Sequence, residues 1–385
     1  MLAIDSPSAR PRGSFNWAST LWHELAHSIT LGMTEHRVPR WLTEGLSVYE
    51  ERRARPGWGD DVTLGFIVAF AREELLPIAD LNDGFVRPTS PEQVGRSYYQ
   101  ASLVVELIER DHGFDALLGL LRGYRDRRGT EELFHSVLGL SLAAFDARFE
   151  AYMRQRFGHA IEAVKLRDAP TRRPHRAELV EAADADPGDF VAQLAAGHAL
   201  IENRQADEAR PYLERAQGLF PEYAEDDSPS WILAQLALED GEHETARQHL
   251  EVFLDFNETH YDAHLALATV AEEQGDPAAA VRWLERALYI DPLEAAVHVR
   301  LAGLYESLDD PAGVVLARRS ILDLDPVDRP EALYQLARAH WRAGDATAAR
   351  RVVLEALDLA PRFRRAQGLL LELHRVRHGS EGGDS

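Results

Sequence analysis

Apolar residues recur at helical spacing in five stretches of the first half of the chain. The stretches are residues 17–31, 41–49, 62–70, 101–108 and 142–153. Apolar positions three and four residues apart line one face of a helix, so each stretch predicts an amphipathic helix. Residues 77–91 are rich in Pro, Gly, Asn and Asp and predict a surface loop. We therefore expect a compact helical domain over residues 1–158.

The second half of the chain repeats a pattern of small residues, each preceded by a Gly-Asp-like turn. Four such positions are spaced by 34, 34 and 35 residues, and a proline follows each of the last three after twelve residues. The positions are Ala246, Ala280 with Pro292, Val314 with Pro326, and Ala349 with Pro361. A period of about 34 residues with two helical faces per unit resembles the tetratricopeptide repeat.

The period predicts a solenoid over residues 177–375, with about five and a half repeats and a capping helix at 364–375. Residues 159–176 are interpreted as a linker, and residues 376–385 as a disordered tail. Glu258 stands where a proline is expected, and a three-residue insertion lies around 225–228. Both departures fall between units, so we expect the solenoid to survive them. The fold class predicted for the chain is all-α or mostly α.

Composition narrows the possible partners. The 42 basic and 64 acidic residues give a net charge of −22, which disfavours nucleic acid and anionic lipid surfaces. No apolar run approaches the ~18 residues of a membrane span. The first 22 residues lack the apolar run of a secretory signal. If the N-terminus is truncated, the cell envelope is a candidate location. The compartment therefore stays unknown.

The chain has no cysteine, so any metal or nucleophile chemistry must use His, Asp, Glu, Ser or Tyr. The segment His23-Glu24-Leu25-Ala26-His27 offers such chemistry. Residues four apart share a helix face, so His23 and His27 can present two imidazole nitrogens to one cation. A bound Zn²⁺ lowers the pKa of its water toward ~7, and the neighbouring Glu24 can accept the proton.

A zinc site of this kind needs a third protein ligand. Glu44 lies 17 residues after His27, on the next predicted helix, and a helix hairpin can bring it back to the metal. The longer motif HExxHxxGxxH is excluded because Thr30 and Met33 occupy its glycine and third histidine positions. A tyrosine at 98 or 99, which opens a long apolar helix, can stabilise an oxyanion.

The three segments HELAH, VPRWLTEGLSVYEE and SYYQASLVVELIERDHGF together resemble bacterial peptidase MA-like metallohydrolases, relatives of the gluzincins. The resemblance covers about residues 15–157. It implies that His23, His27 and Glu44 hold zinc, that Glu24 is the general base and that Tyr98 is the catalytic tyrosine. Tyr99 is the alternative, because adjacent residues on a helix point about 100° apart and only one can face the metal.

The chain departs from this family in two ways. Gluzincins place a β-sheet before the HExxH helix, but only 22 residues precede His23, so we expect that sheet to be missing. Thermolysin-like enzymes also carry an Asp four residues after the zinc-binding Glu, where this chain has Val48. Ser47 or a backbone carbonyl is expected to orient a ligand histidine instead.

The leading hypothesis is a zinc-dependent peptidase domain that hydrolyses peptide bonds of a peptide or protein substrate. The repeats are expected to bind a protein partner, as helical repeats commonly do. The alternative is a non-catalytic interaction scaffold that carries a degenerate or truncated zincin domain.

Overall fold

A computed structural model describes residues 4–381 of the chain except 10, 12, 14, 167–171 and 173. This described part contains twenty α-helices and no β-strand, which confirms the predicted all-α class. None of the helices in these ranges is both long enough and apolar enough to cross a lipid bilayer.

Eight helices begin before the predicted linker. They are α1 (Trp17–Thr34), α2 (Arg40–Ala54), α3 (Leu64–Ala71), α4 (Asp83–Val86), α5 (Pro91–His112), α6 (Phe114–Arg125), α7 (Thr130–Leu133) and α8 (Leu142–Ala163). Five of them, α1, α2, α3, α5 and α8, correspond to the five predicted helices. The predicted loop at 77–91 contains the one-turn helix α4, and α6 and α7 were not expected from the sequence.

Helix α1 begins where the side chain of Asn16 accepts a hydrogen bond of 3.1 Å from the backbone N–H of Ser19. It ends at Thr34, and the backbone of the next residue, Glu35, is left-handed. The helix buries polar residues and leaves its apolar stripe exposed. The buried residues are Ser19, Thr30 and Thr34, and the exposed ones include Leu21, Trp22, Leu25, Ile29 and Met33. Its inward face is therefore built for hydrogen bonding.

Helices α2 and α5 pack with their backbones almost in contact. A Cβ atom at Gly45 of α2 would lie 2.6 Å from the carbonyl oxygen of Ala101 in α5, so only glycine fits there. The same approach brings the N-terminal turns of α5 next to the first half of α2. Helix α2, which carries Glu44, also packs on α1, so it lies between the two helices that carry the other candidate site residues.

Twelve helices follow in the second half. They are α9 (Arg176–Ala185), α10 (Phe190–Glu202), α11 (Ala206–Leu219), α12 (Pro229–Glu239), α13 (His243–Leu254), α14 (Tyr261–Glu273), α15 (Pro277–Ala287), α16 (Ala295–Ser307), α17 (Pro311–Asp323), α18 (Arg329–Arg342), α19 (Ala346–Leu359) and α20 (Arg364–Glu381). The four repeated small residues lie in the first turn of α13, α15, α17 and α19, and all four are buried.

Apart from the short segment Pro7–Ala9, which groups with the second unit, the chain forms two compact units that divide between Ala263 and His264, within α14. In the first unit, the large apolar core runs past residue 158, where the sequence places the end of the first domain. Helix α8 continues to Ala163 and contacts α10 and α11. The domain limits at 158 and 176 stay predictions, and residues 167–171 and 173 of the expected linker lie outside the described residues.

The two departures from the repeat pattern contact the first part of the chain. Glu225, in the insertion, accepts a hydrogen bond of 3.2 Å from the backbone N–H of Leu64. The backbone N–H of Glu258, at the missing proline, donates a 3.1 Å hydrogen bond to the carbonyl of Gly57. These irregular residues therefore attach the first repeats to the helical domain.

In the second unit, consecutive helices from α15 to α20 pack on one another. The last helix begins at Arg364, as predicted, but continues to Glu381 instead of ending at 375. The disordered tail expected at residues 376–385 stays a prediction. Residues 382–385 lie outside the described residues.

Candidate metal centre

The structure brings His23 and His27 of α1 next to Glu44 of α2. The carboxylate oxygen Oε2 of Glu44 lies 3.2 Å from Nε2 of His23 and 3.0 Å from Nε2 of His27. One ligand atom from each of the three side chains falls within 4.8 Å of the other two. The i, i+4 spacing on α1 and the packing of α1 on α2 are enough to produce this convergence.

Arg40 forms a hydrogen bond with the other oxygen of the Glu44 carboxylate. Its guanidinium lies one helical turn before Glu44 and donates a hydrogen bond of 2.6 Å to Oε1. Burial would raise the pKa of the Glu44 carboxyl, but hydrogen bonds from His23 and His27 and the charge of Arg40 lower it well below its usual range. Glu44 is therefore ionised, with Oε2 left to face the two imidazoles.

The far side of the His23 ring faces a second carboxylate. Nδ1 of His23 lies 3.3 Å from Oε2 of Glu51. Burial alone would lower the pKa of His23, but the hydrogen bonds to Glu44 and Glu51 raise it to about 10. The expected orienting group, Ser47, does not contact the ring, and its hydroxyl has no hydrogen-bond partner within the described ranges. The residue that contacts Nδ1 of His23 is therefore Glu51, and not Ser47 as expected.

The far side of the His27 ring faces hydroxyl groups. Nδ1 of His27 lies 2.8 Å from Oγ1 of Thr43, which lies 2.7 Å from Oγ1 of Thr30. Thr30 in turn donates a 3.3 Å hydrogen bond to the backbone carbonyl of His27. If Nδ1 of His27 donates to Thr43, each of the two threonine hydroxyls donates once, and loss of the Nε2 proton would free a lone pair on the side of Glu44.

These three side chains fit a zinc ion. Two neutral imidazoles and one carboxylate form a set of protein ligands that leaves a fourth position open on a tetrahedral ion, as in catalytic zinc sites. With bonds of about 2.1 Å, ligands of such an ion lie about 3.4 Å apart, close to the two contacts of Glu44 Oε2. Contacts to both far-side Nδ1 atoms leave the Nε2 atoms as the ligand atoms.

Two family models match separate parts of the chain. Residues 12–155, which contain every candidate site residue, match the model of the Peptidase MA superfamily. Residues 237–312 match one tetratricopeptide repeat model, and residues 194–258 and 322–380 match another. The chain joins a Peptidase MA superfamily domain to tetratricopeptide repeats. No curated protein matches it.

Among solved structures, the repeats are similar to YrrB, described as a TPR protein with an unusual peptide-binding site. The identity is 15% and the TM-score 0.36, over 49% of this chain and 96% of YrrB. MamA is 18% identical with a TM-score of 0.33, over 44% of this chain and 90% of MamA. The pilF protein of Pseudomonas aeruginosa is 16% identical with a TM-score of 0.32, over 51% and 88%.

Tyr98 and Tyr99 occupy different environments in the Peptidase MA superfamily domain. The ring of Tyr98 is half-buried, lies 6.4 Å from the ring of His23, and its hydroxyl interacts with Arg40. Tyr99 is buried in the core, where its ring packs edge-on against Phe66 at 4.8 Å. The structure therefore places Tyr98 beside the three candidate ligands and Tyr99 away from them.

Glu24 lies next to His23 on α1, and its side chain is half-buried. Its carboxylate accepts no hydrogen bond from the residues that the structure describes, so it is available to a water molecule. Three other residues of this domain, Arg40, Thr43 and Glu51, were not predicted from the sequence. Two of them carried a signal, because Arg40 and Glu51 lie four residues before and seven after Glu44 and so share its helix face.

Proposed function

We propose that residues 12–155 form a zinc-dependent peptidase that hydrolyses peptide bonds in a peptide or protein substrate. The observation that carries this proposal is the grouping of one ligand atom each from His23, His27 and Glu44 within 4.8 Å of one another. The match of the same residues to the Peptidase MA superfamily supports this reaction class. His23, His27 and Glu44 would hold the zinc.

Bound zinc supplies a Lewis acid, which polarises the scissile carbonyl and makes a water molecule more acidic. Glu24 is the general base: it takes a proton from the attacking water and passes it to the leaving amine. The Tyr98 hydroxyl donates a hydrogen bond to the carbonyl oxygen as that oxygen gains negative charge. Arg40 pairs with Oε1 of Glu44 and thereby keeps Oε2 directed at the imidazoles.

The test compares the wild-type chain with Glu24→Gln, which keeps the size of the side chain but cannot accept a proton. We expect one zinc per chain in both proteins, measured by elemental analysis, and cleavage of an unfolded protein only by the wild type. Glu50→Gln is the control, because Glu50 pairs with the exposed Arg53 and should not affect cleavage. Equal cleavage by the wild type and Glu24→Gln, or a chain without zinc, would overturn the proposal.

We further propose that the repeats bind a protein partner. Helical repeats present extended surfaces, and in the second unit Val299 of α16 and Leu316 of α17 expose apolar side chains to solvent. Changing both residues to Asp should abolish capture of a protein partner, whereas His23→Ala should leave it unchanged. Loss of capture in His23→Ala alone would instead assign partner binding to residues 12–155, here called the metal-site domain.

A further inference from the structure

Glu51 is a buried carboxylate that the proposed reaction does not use. It lies in the last turn of α2, only 6% exposed, and both of its oxygens are engaged. Oε1 accepts a hydrogen bond of 3.0 Å from the hydroxyl of Ser19, and Oε2 faces Nδ1 of His23. A buried carboxylate is costly to desolvate, so these contacts indicate a specific role.

The chain fixes the position of this carboxylate from three sides. Ser19 lies one turn before His23 on α1, so the same helix holds both the donor to Oε1 and the ring that faces Oε2. On the third side, the backbone of Gly59 packs against the carboxylate, and a Cβ at this position would lie 3.0 Å from Oε2. Gly59 also has a φ of +74°, a left-handed conformation that favours glycine. Glu51 therefore has little freedom to turn away from His23.

Glu51 cannot itself join the candidate metal ligands. Nδ1 and Nε2 lie on different edges of an imidazole ring, and it is Nε2 of His23 that faces Glu44. Glu44 and Glu51 are seven residues apart, about two turns and ~10 Å along α2, with the His23 ring between them. Any effect of Glu51 on a bound metal must therefore pass through the ring of His23.

We propose that Glu51 is the positioning residue that makes His23 a metal ligand. Its Oε2 accepts the Nδ1–H of His23, which selects the tautomer with a lone pair on Nε2, and it holds the ring toward Glu44. A carboxylate partner also makes the imidazole a stronger electron donor. This inference rests on the proposed function only in taking His23 as a metal ligand.

The two histidines are consequently not equivalent. His27 is oriented by the neutral hydroxyl of Thr43, whereas His23 is oriented by an ionised group. Hydrogen bonds to a charged acceptor are roughly twice as strong as those between neutral groups. We therefore expect removal of the Glu51 charge to weaken metal binding more than removal of the Thr43 hydroxyl by Thr43→Val.

The test measures zinc affinity of the full chain by competition with a chromophoric chelator. Glu51→Gln keeps the shape of the side chain but removes its charge, and we expect zinc to bind about 10- to 100-fold more weakly. Glu50→Gln, one residue away, should bind zinc within twofold of the wild type. In ¹⁵N spectra of the zinc-loaded protein, the protonated Nδ1 signal of His23 should shift in Glu51→Gln alone.

The zinc affinities of the variants distinguish the role of Glu51 from the proposed peptidase activity. Wild-type affinity in a folded Glu51→Gln protein, or an equal loss in Glu50→Gln, overturns the role of Glu51 and leaves the proposed peptidase intact. A wild-type chain that binds no zinc overturns both proposals. If Glu51→Gln fails to fold, Ser19→Ala replaces it, because it removes the donor to Oε1 without touching the ring. Weaker zinc binding in Ser19→Ala then supports the positioning role, and unchanged binding overturns it.

Discussion

The backbone N–H of Glu258, between two repeats, donates a 3.1 Å hydrogen bond to the carbonyl of Gly57 in the metal-site domain. The Glu258 side chain is buried and lies 3.5 Å from the guanidinium of Arg55. Gly57 is itself constrained, since a Cβ there would lie 2.6 Å from the carbonyl oxygen of Leu254. A residue that departs from the repeat pattern thus attaches the repeats to the first domain.

Restoring the repeat pattern with Glu258→Pro should destabilise the chain. Proline has no N–H, so the carbonyl of Gly57 loses its buried partner, at a cost of about 1–3 kcal/mol. Urea unfolding, followed by tryptophan fluorescence, measures the loss. Glu258→Ala is the control, because it removes the pairing with Arg55 but keeps the N–H, and its loss should be smaller. A Glu258→Pro protein as stable as the wild type would show that this hydrogen bond does not hold the repeats.

Gly45→Ala should separate α2 from α5. The added methyl group would meet the backbone of Ala101, and overpacking of this kind costs about 1–3 kcal/mol. Because α5 also carries Tyr98, zinc binding should survive better than cleavage. Gly32→Ala in α1 is the matched control, since a Cβ there has open space around it, and it should be neutral or slightly stabilising. Equal thermal midpoints for the two variants would refute this explanation.

Much of the fold could be predicted from periodicity, because local spacing determines which segments are helical. The four small residues that define the 34-residue period all lie buried in the first turn of a repeat helix. The burial pattern of α1 could not be predicted in this way. Its periodicity indicated a helix, yet the helix buries Ser19 and Thr30 and exposes Leu25, because its inward face contacts polar groups of α2.

The candidate site shows a similar limit. His23 and His27 follow from i, i+4 spacing, Glu44 from its place on the next predicted helix, and the choice of Tyr98 over Tyr99 from the family resemblance. Glu51 did not follow from either, because its contact with His23 depends on how α1 and α2 pack. The loss of the family's Asp at Val48 indicated that a replacement was needed, but two helical turns separate Glu51 from Glu44, and one-turn reasoning pointed to Ser47 instead.

Tyr98→Phe should impair cleavage without affecting zinc content. The variant loses the hydroxyl that the proposed mechanism directs at the oxyanion, and removal of one such donor lowers kcat about 100-fold or more. Tyr99→Phe is the matched control, because the Tyr99 ring packs in the core against Phe66 and its kcat should stay near the wild-type value. A larger loss of kcat in Tyr99→Phe than in Tyr98→Phe would exchange the roles of the two tyrosines.

The metal-free chain should lose stability as the pH rises from 7 to 10. Glu44 and Glu51 overcome the effect of burial and raise the pKa of His23 from 6.5 to about 10, so the folded chain binds this proton more tightly than the unfolded chain does. The resulting stabilisation is fully present below pH 6.5 and is lost as the pH passes through about 10. Thermal midpoints of chelator-treated protein measure this loss.

Zinc binding should displace the proton that stabilises the metal-free chain at His23. The proton on Nε2 of His23 must leave before the nitrogen can bind a metal, so zinc binding between pH 7 and 9 should release about one proton from this ring. Calorimetry in buffers with different ionisation enthalpies counts the protons released. His23→Gln is the control, because it should release about one proton fewer and its metal-free midpoint should fall less between pH 7 and 10. If the metal-free midpoints of the wild type and His23→Gln fall equally between pH 7 and 10, the proton on His23 that contacts Glu44 and Glu51 does not stabilise the metal-free fold.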